Sequence, residues 1–180
     1  MFLGISKKIV ECHKTVEGGN YTTKTMLQNT VELYNKKFFI IGYGRIGKEV
    51  AKRLAAFDTE IFVFDPYLQE SGVDISPFKF VDLEYGLKEA DYVTIHIPLN
   101  NNTRDFISQE ELKLMKNGSI LVNTSRGGVV NQKDLLEALK NKKLLGAGLD
   151  VYTNEPPLKD DPILSAPNIL FTPHNAALTI

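Results

Sequence analysis

Cysteine and histidine are scarce in this chain. Its 180 residues include one cysteine, Cys12, and three histidines, His13, His96 and His174. A single cysteine excludes an internal disulfide and a zinc site made of cysteines, and it fits the reducing environment of the cytoplasm. The histidines lack the i, i+4 spacing that places two metal ligands on one helix face. The sequence therefore predicts no metal site and a cytoplasmic location.

The chain also lacks a strong net charge and a long hydrophobic run. Its 21 basic and 22 acidic residues give a net charge of -1, which argues against nucleic acid as the main partner. Lys7 and Lys8 interrupt the apolar N-terminus, and no apolar run is long enough to span a bilayer. With 43% hydrophobic residues, a chain of this length is expected to bury one core. We predict a soluble protein with no membrane partner and a single domain over residues 1–180.

Glycine is concentrated between a predicted strand and a predicted helix. The apolar run Phe38 to Ile41 suits a strand buried on both faces, and Gly42, Gly44 and Gly47 follow it in G-x-G-x-x-G spacing. In a dinucleotide-binding turn the first glycine permits a tight turn, the second lets a pyrophosphate approach the backbone, and the third lets helix and strand pack closely. The free amides at the helix N-terminus then face the anion. The same spacing occurs by chance and in kinase loops, so its context decides.

The residues after the glycines favour the nucleotide-binding interpretation. Apolar residues at helical spacing predict an amphipathic helix whose buried face is formed by Ile46, Val50, Leu54 and Phe57. Residues 61–64 predict a second buried strand, and Asp65 follows at its end. A carboxylate there accepts hydrogen bonds from both adenosine ribose hydroxyls and repels a 2′-phosphate, which favours NAD over NADP. The alternative is that Asp65 and Pro66 only open a turn, and a loop is predicted to follow them.

The rest of the chain alternates between predicted helices and strands. The N-terminus predicts one amphipathic helix over residues 2–17 that ends at Gly18 and Gly19, followed by a connecting segment over 20–35. Further strands are predicted at 80–81, 92–97, 119–123, 144–151 and 168–172, and helices at 83–90 and after the capping residues Ser108 and Asn131. This alternation is typical of an α/β fold with a doubly wound parallel sheet, the three-layer Rossmann fold.

Polar residues follow the ends of several predicted strands, which is where ligands bind such a sheet. Arg126, Asp150, Glu155 and His174 all lie shortly after a strand end. We expect these side chains to form a charged cleft that faces the cofactor.

The chain carries, in this order, the strings GYGRIG, HIPLN, NTSRGGVVN, GLDVYTNEPP and TPHNAA. Their order and spacing resemble those of the D-isomer-specific 2-hydroxyacid dehydrogenases, of which phosphoglycerate dehydrogenase is the best-known type. The resemblance covers nearly the whole chain, up to His174. It implies an NAD-dependent oxidoreductase that acts on the CH-OH group of a small 2-hydroxy acid and moves a hydride between this acid and nicotinamide. It leaves the substrate open, with 3-phosphoglycerate as one candidate.

This resemblance implies three catalytic residues. Arg126 matches the arginine that binds the substrate carboxylate and polarises the adjacent carbonyl, for which a permanently charged guanidinium fork is well suited. His174 matches the acid/base that exchanges a proton with the substrate oxygen. Glu155 matches the carboxylate that pairs with this histidine and fixes its ring. The alternatives are a structural ion pair for Arg126, a turn residue for His174 and a loop charge for Glu155.

The resemblance also implies which residues contact NAD. Asp150 matches the residue that orients the nicotinamide carboxamide, although an aspartate there could simply cap a turn. The other expected contacts come from the glycine turn with the backbone of Arg45 and Ile46 at the pyrophosphate, from Ile97, Pro98 and Thr103 at the adenosine, and from Thr124 and Ser125 at the nicotinamide. His96 ranks second to His174 because its match concerns backbone contacts, and the alternative for it is a satisfied polar residue at the sheet edge.

Members of this family carry a substrate domain that closes over the cleft, and the resemblance implies that this lid is absent from the chain. We therefore expect NAD affinity with little turnover by the chain alone. A homodimer through the apolar face of the first helix is also implied. One alternative is a non-catalytic NAD-binding module that serves for dimerisation or corepression. Another, a relative of adenosylhomocysteinase, lacks support from the strings around Glu155 and His174.

Overall fold

One seven-stranded sheet organises the molecule, and the computed structural model describes it through residues 1–21 and 30–177. The strands are β1 Lys37–Ile41, β2 Glu60–Phe64, β3 Lys79–Phe80, β4 Tyr92–Ile95, β5 Ser119–Asn123, β6 Leu144–Leu149 and β7 Ile169–Phe171. They are all parallel and lie in the order β3-β2-β1-β4-β5-β6-β7. The chain winds outward from β1 in one direction and then from β4 in the other, so the predicted doubly wound α/β fold is confirmed.

Helices cover both faces of the sheet and complete the three layers. They are α1 Phe2–Ser6, α2 Ile9–Glu17, α3 Arg45–Ala55, α4 Pro66–Glu70, α5 Leu83–Glu89, α6 Gln109–Leu114 and α7 Gln132–Lys140, with 3₁₀ turns at Gly127–Val129 and Pro162–Ser165. The predicted capping residues Ser108 and Asn131 begin α6 and α7, and Ser108 forms a capping box with Glu111.

Strand β1 lies at the centre of the core. Phe38 and Ile40 pack with Tyr92 in the apolar cluster beneath α1 and α3, whereas Phe39 and Ile41 pack in the cluster beneath α5, α6 and α7. The rings of Phe38 and Tyr92 stack with their centroids 4.4 Å apart. Because both faces of the strand are covered, its sequence is a continuous apolar run rather than an alternating one.

The predicted buried face of the helix after the glycine turn was wrong by about one position. The buried residues of α3 are Gly47, Ala51 and Leu54, whereas Ile46 is 64% exposed. Small residues face the sheet because the helix lies very close to it. A Cβ added at Gly47 would stand 2.1 Å from the carbonyl oxygen of Gly42.

The predicted single N-terminal helix is two helices. Lys8 adopts a left-handed conformation with φ of 49° and separates α1 from α2. Helix α1 packs on the sheet, where the Phe2 ring meets those of Phe38 and Tyr92 edge-on at 5.2 and 5.4 Å. Helix α2 buries no residue. Most of the predicted connecting segment 20–35 lies outside the described residues.

The loop predicted after Asp65 begins with a helix. Asp65 caps α4 through a 3.2 Å bond from the Leu68 amide, and Pro66 occupies the first helical position. Both residue types favour a helix N-terminus, because the carboxylate satisfies a free amide and proline has none to satisfy. The strands β4, β6 and β7 are each shorter than predicted by two residues.

Candidate functional site

The glycine turn has the geometry that each of its glycines predicts. Gly42 has φ of +92°, and a Cβ there would lie 2.8 Å from the His96 carbonyl oxygen, so only glycine fits the turn between β1 and α3. A Cβ at Gly44 would meet nothing within 4 Å. The backbone at Gly44 is therefore open to a ligand, in contrast to the closely packed backbone at Gly47.

The N-terminus of α3 is available for an anion. Gly44 caps this helix without a side-chain hydrogen bond, and the amides of the first helical residues, Arg45 and Ile46, have no carbonyl partner within the helix. These amides and the positive end of the helix dipole favour a phosphate group. Together with the open backbone at Gly44, they fit the pyrophosphate of a dinucleotide.

Asp65 connects the glycine turn to the end of β2. Its Oδ2 accepts a 2.9 Å bond from the Tyr43 amide, while its Oδ1 caps α4. Asp65 therefore has a structural role, although it opens a helix and not the turn of the alternative interpretation. Carboxylate oxygens accept more than one hydrogen bond each, so this role leaves capacity for ribose hydroxyls, and contact with the ribose stays a prediction.

The segment expected at the adenosine lies next to the turn. The Ile97 side chain comes within 2.8 Å of the position that a Gly42 Cβ would take. The Thr103 hydroxyl donates to the Pro98 carbonyl at 2.6 Å and accepts from the Asn100 amide at 2.8 Å. These bonds fold residues 98–103 into a compact turn and keep Thr103 beside Pro98.

A buried asparagine shapes the loop that carries Arg126. Asn123 ends β5 and is fully buried. Its amide nitrogen donates to the Arg126 carbonyl at 2.9 Å, and its oxygen accepts from the Ser125 amide and hydroxyl at 3.0 and 2.8 Å. The exposed Arg126 side chain donates to the Ser125 carbonyl. Sequence analysis did not single out Asn123, although a polar residue at the end of an apolar strand was a usable signal.

Glu155 and His174 form a hydrogen-bonded pair at the carboxyl edge of the sheet. His174 Nδ1 lies 2.7 Å from Glu155 Oε2, and both side chains are partly exposed. The bond from His174 lowers the pKa of Glu155 against the opposing effect of burial, and the Tyr152 amide and the charges of His174 and Arg126 lower it further. The backbone of Gly127, next to Arg126, contacts the Tyr152 carbonyl, and the Tyr152 amide bonds to Glu155, so the segments that carry the three candidate catalytic residues are adjacent.

Asp150 holds the loop of His174. It is 1% exposed and accepts hydrogen bonds from the Thr172 hydroxyl and from the amides of Asn175 and Ala176, both at 3.0 Å. Burial alone would raise the pKa of Asp150, but these bonds and the charge of His174 lower it overall. Its expected bond to a carboxamide stays a prediction.

The candidate site has two halves, the glycine turn and the loops that carry Arg126, Glu155 and His174. His96 lies between them. Its Nε2 is 3.0 Å from the Thr94 hydroxyl, as expected of a satisfied polar residue, and burial lowers its pKa to about 4. The ring lines a cavity of about 320 Å³ with Thr124 and Asn175, and it also lines the groove beside Gly44. A neutral imidazole therefore separates the glycine turn from the region of Thr124.

Two further findings concern other classes of site. Within residues 1–21 and 30–177, no three His, Cys, Asp or Glu side chains cluster in a way that could hold a metal ion. No helix in this part of the chain is long and apolar enough to cross a membrane.

Known proteins resemble the chain over nearly its whole length. Residues 1–176 match the family described as D-isomer specific 2-hydroxyacid dehydrogenase, NAD binding domain. A D-3-phosphoglycerate dehydrogenase of Methanocaldococcus jannaschii is 38% identical over 99% of the chain, and a hydroxypyruvate reductase of Thermotoga maritima is 36% identical over 99%. The matches cover 34% and 58% of these two proteins, so the chain spans only part of their length.

A solved structure supports the same assignment. The NAD-dependent formate dehydrogenase of Staphylococcus aureus, in complex with NAD, is 34% identical and superposes with a TM-score of 0.92. The match covers 99% of this chain and 53% of that one. The fold, the cofactor and the family inferred from the sequence strings are thereby confirmed. The chain belongs to the D-isomer specific 2-hydroxyacid dehydrogenases, a family of oxidoreductases, and is the NAD-binding domain of that family.

Proposed function

We propose that this domain serves an enzyme that interconverts a small 2-hydroxy acid and the corresponding 2-oxo acid, with Arg126, Glu155 and His174 as its catalytic residues. The observation that carries the proposal is the 2.7 Å bond between His174 and Glu155, with Arg126 near enough for its charge to lower the pKa of Glu155. A cation, an acid/base and its partner carboxylate are the groups that such a reaction needs.

Each residue has a distinct task in this proposal. Arg126 binds the substrate carboxylate through two parallel hydrogen bonds and draws electron density from the adjacent carbonyl. Because Glu155 engages Nδ1 of His174, the other ring nitrogen, Nε2, is left for the substrate. In the direction of reduction, Nε2 gives a proton to the ketone oxygen, and in the direction of oxidation it takes the hydroxyl proton. Glu155 fixes the ring and stabilises its protonated form.

The residues around the glycine turn fit NAD. When bound, NAD supplies or accepts the hydride. Arg45 and Ile46 would hold the pyrophosphate through their amides, and Asp65 would accept the ribose hydroxyls and disfavour NADP. The remaining expected contacts are the turn glycines Gly42, Gly44 and Gly47, the adenosine-side residues Ile97, Pro98 and Thr103, and the nicotinamide-side residues Thr124, Ser125 and Asp150.

The proposal extends to the partners of the domain. The substrate is a small 2-oxo acid, with 3-phosphoglycerate as one candidate for the hydroxy acid, and a separate substrate domain completes the cleft. We also place the enzyme in the cytoplasm as a homodimer. Exposed apolar residues on the N-terminal helices, such as Ile9 at 53% and Val16 at 57% exposure, support this dimer because they have no cover within the described chain. Sedimentation that finds only monomer at micromolar concentration would contradict it.

The test has two stages. Calorimetric titration of the chain is expected to give tighter binding of NAD than of NADP. Reduction of 2-oxo acids by NADH is then measured with the chain alone and with a separately supplied substrate domain, and only the second mixture is expected to turn over. If NAD binds but no 2-oxo acid is reduced in either mixture, the domain is a non-catalytic NAD-binding module and the proposal is wrong.

A further inference from the structure

Tyr152 lies among the three segments that carry the candidate catalytic residues, and it contacts each of them. It follows β6 at the carboxyl edge of the sheet and is only 8% exposed. Its backbone amide donates a 3.0 Å bond to Oε1 of Glu155, the oxygen that His174 leaves free. Tyr152 and His174 thus each hold one oxygen of the same carboxylate.

The side chain of Tyr152 reaches the segment of His174. Its hydroxyl donates to the Thr172 carbonyl at 2.9 Å, with the Leu149 carbonyl at 3.4 Å, and its ring packs on Phe171 with centroids 6.1 Å apart. Thr172 directly follows β7, an edge strand of only three partly exposed residues. Because β7 is short and lies at the edge of the sheet, few other contacts fix the segment that follows it.

The backbone of Tyr152 also supports the segment of Arg126. A Cβ added at Gly127 would lie 1.9 Å from the Tyr152 carbonyl oxygen and 2.6 Å from the Thr153 nitrogen. The two backbones therefore touch directly, and only glycine permits this approach. The position of Arg126 relative to Glu155 depends on this contact.

We propose that Tyr152 is a positioning residue that holds the segments of Arg126, Glu155 and His174 in one arrangement through its amide, its hydroxyl and its carbonyl. This inference rests on the proposed function of those three residues. The hydroxyl is the part that can be removed alone. Without it the Thr172 carbonyl loses this donor, and the segment of His174 keeps its bonds to Asp150 and Glu155 but is held less firmly. Displacements of about 1 Å at a reacting group cost up to about 100-fold in rate.

The test compares Tyr152→Phe with Tyr92→Phe. Tyr92 is also buried, and its hydroxyl donates to the Glu32 carbonyl at 3.0 Å and lies 3.0 Å from the Ser6 hydroxyl. It begins β4, at the end of the strand away from the candidate site. The ¹⁵N chemical shifts of the His174 ring report which nitrogen carries the proton. One protonation pattern is expected in the parent chain and in Tyr92→Phe, and a mixture of tautomers is expected in Tyr152→Phe. NAD affinity should change less than about twofold in both, because neither hydroxyl faces the glycine turn.

Kinetics with the supplied substrate domain give a second measurement. Tyr152→Phe is expected to lower kcat about 10- to 100-fold with a smaller change in KM, whereas Tyr92→Phe leaves kcat unchanged. Unaltered His174 shifts and unaltered kcat in Tyr152→Phe would overturn the role of Tyr152 and leave the proposed function intact. Full activity of a His174 variant would instead overturn the proposed function.

Hydrogen exchange covers the case in which Tyr152→Phe does not fold. In the unchanged chain, the amides of Tyr152 and Thr172, which belong to the two segments that the Tyr152 hydroxyl joins, are expected to share one opening free energy, because these segments separate together. Independent exchange of these amides would overturn the proposal.

Discussion

The two halves of the candidate site are built in different ways. Around the glycine turn, position is set by backbone packing, with Gly42 and Gly47 in contacts that no other residue can make, next to a central strand whose apolar residues 38–41 are fully buried. Around Glu155 and His174, position is set by side-chain hydrogen bonds beside a short edge strand. In the proposed function, the dinucleotide therefore binds to a rigid backbone surface, whereas proton transfer uses side chains that remain accessible to a substrate.

The largest expected effect is a loss of reaction rate with no change in NAD affinity. With the supplied substrate domain, His174→Asn or Arg126→Gln should lower the rate of 2-oxo acid reduction by about 10²- to 10⁴-fold, because in the proposed function each removes a group that acts on the reacting carbonyl. NAD affinity measured by calorimetry should stay within about twofold, since the glycine turn is untouched. Lys88→Gln, which removes an exposed cation paired with Glu84 on α5, is the control for loss of charge. A parallel loss of NAD affinity and rate would show that the halves are not separate.

The next prediction tests the backbone half through two of its glycines. Gly47→Ala should lower the free energy of unfolding by about 3 kcal/mol, because the new methyl meets the Gly42 carbonyl at 2.1 Å. Gly44→Ala places its methyl in open space and should cost at most about 1 kcal/mol as a helix cap. It should nevertheless weaken NAD about tenfold or more, because the methyl occupies the approach of the pyrophosphate. Denaturant unfolding and calorimetry measure both quantities, and equal stability losses would contradict the prediction.

Asp65→Asn tests whether a negative charge contributes to the choice of NAD over NADP beside the glycine turn. The asparagine oxygen can still accept a bond from the Tyr43 or Leu68 amide, so the turn should persist. Loss of the negative charge should shift the ratio of NADP to NAD affinity by about tenfold towards NADP. Glu70→Gln, an exposed change on the same helix, should leave the ratio unchanged. An unaltered ratio in Asp65→Asn would mean that the aspartate serves only to bond the Tyr43 and Leu68 amides.

The smallest effect concerns His96, which lies between the halves. Because burial lowers its pKa to about 4 in the folded chain, the unfolded chain binds the proton first as the pH falls below about 6.5. The free energy of unfolding should therefore decrease as the pH falls, by about 1 kcal/mol between pH 6.5 and 5.5. His96→Gln should remove this dependence, and His13→Gln, at an exposed residue, should retain it. Thermal or urea unfolding across this pH range measures the dependence. A free energy of unfolding that stays constant in the parent chain would show that the His96 ring is solvated.

Sequence patterns predicted correctly those features that depend only on residues close together in the chain. The run of apolar residues in β1, the glycine spacing and the caps at Ser108 and Asn131 each depend on neighbours within a few positions, and the structure confirms them. The orientation of α3 was missed because its sheet-facing residues Gly47 and Ala51 are small and give a weak hydrophobic signal. The interruption at Lys8 was missed because the apolar spacing continues across it.

The candidate site was harder to predict than the fold because its contacts are distant in sequence. The family strings indicated Arg126, Glu155 and His174, but they did not indicate that Asp150 is bonded to the segment of His174 or that Tyr152 reaches Thr172. Such contacts join residues about twenty positions apart and depend on the pairing of β6 with β7. Local patterns contain no information about that pairing.

The backbone of His174 adopts φ of 51°, in the left-handed region that glycine and asparagine tolerate and β-branched residues do not. A substitution at position 174 must therefore fit this backbone conformation for the chain to fold, whatever the proton chemistry of the new side chain. A saturation library at this codon should enrich Gly and Asn among folded clones and deplete Val and Ile, which narrows the evolutionary routes by which the position could exchange its imidazole.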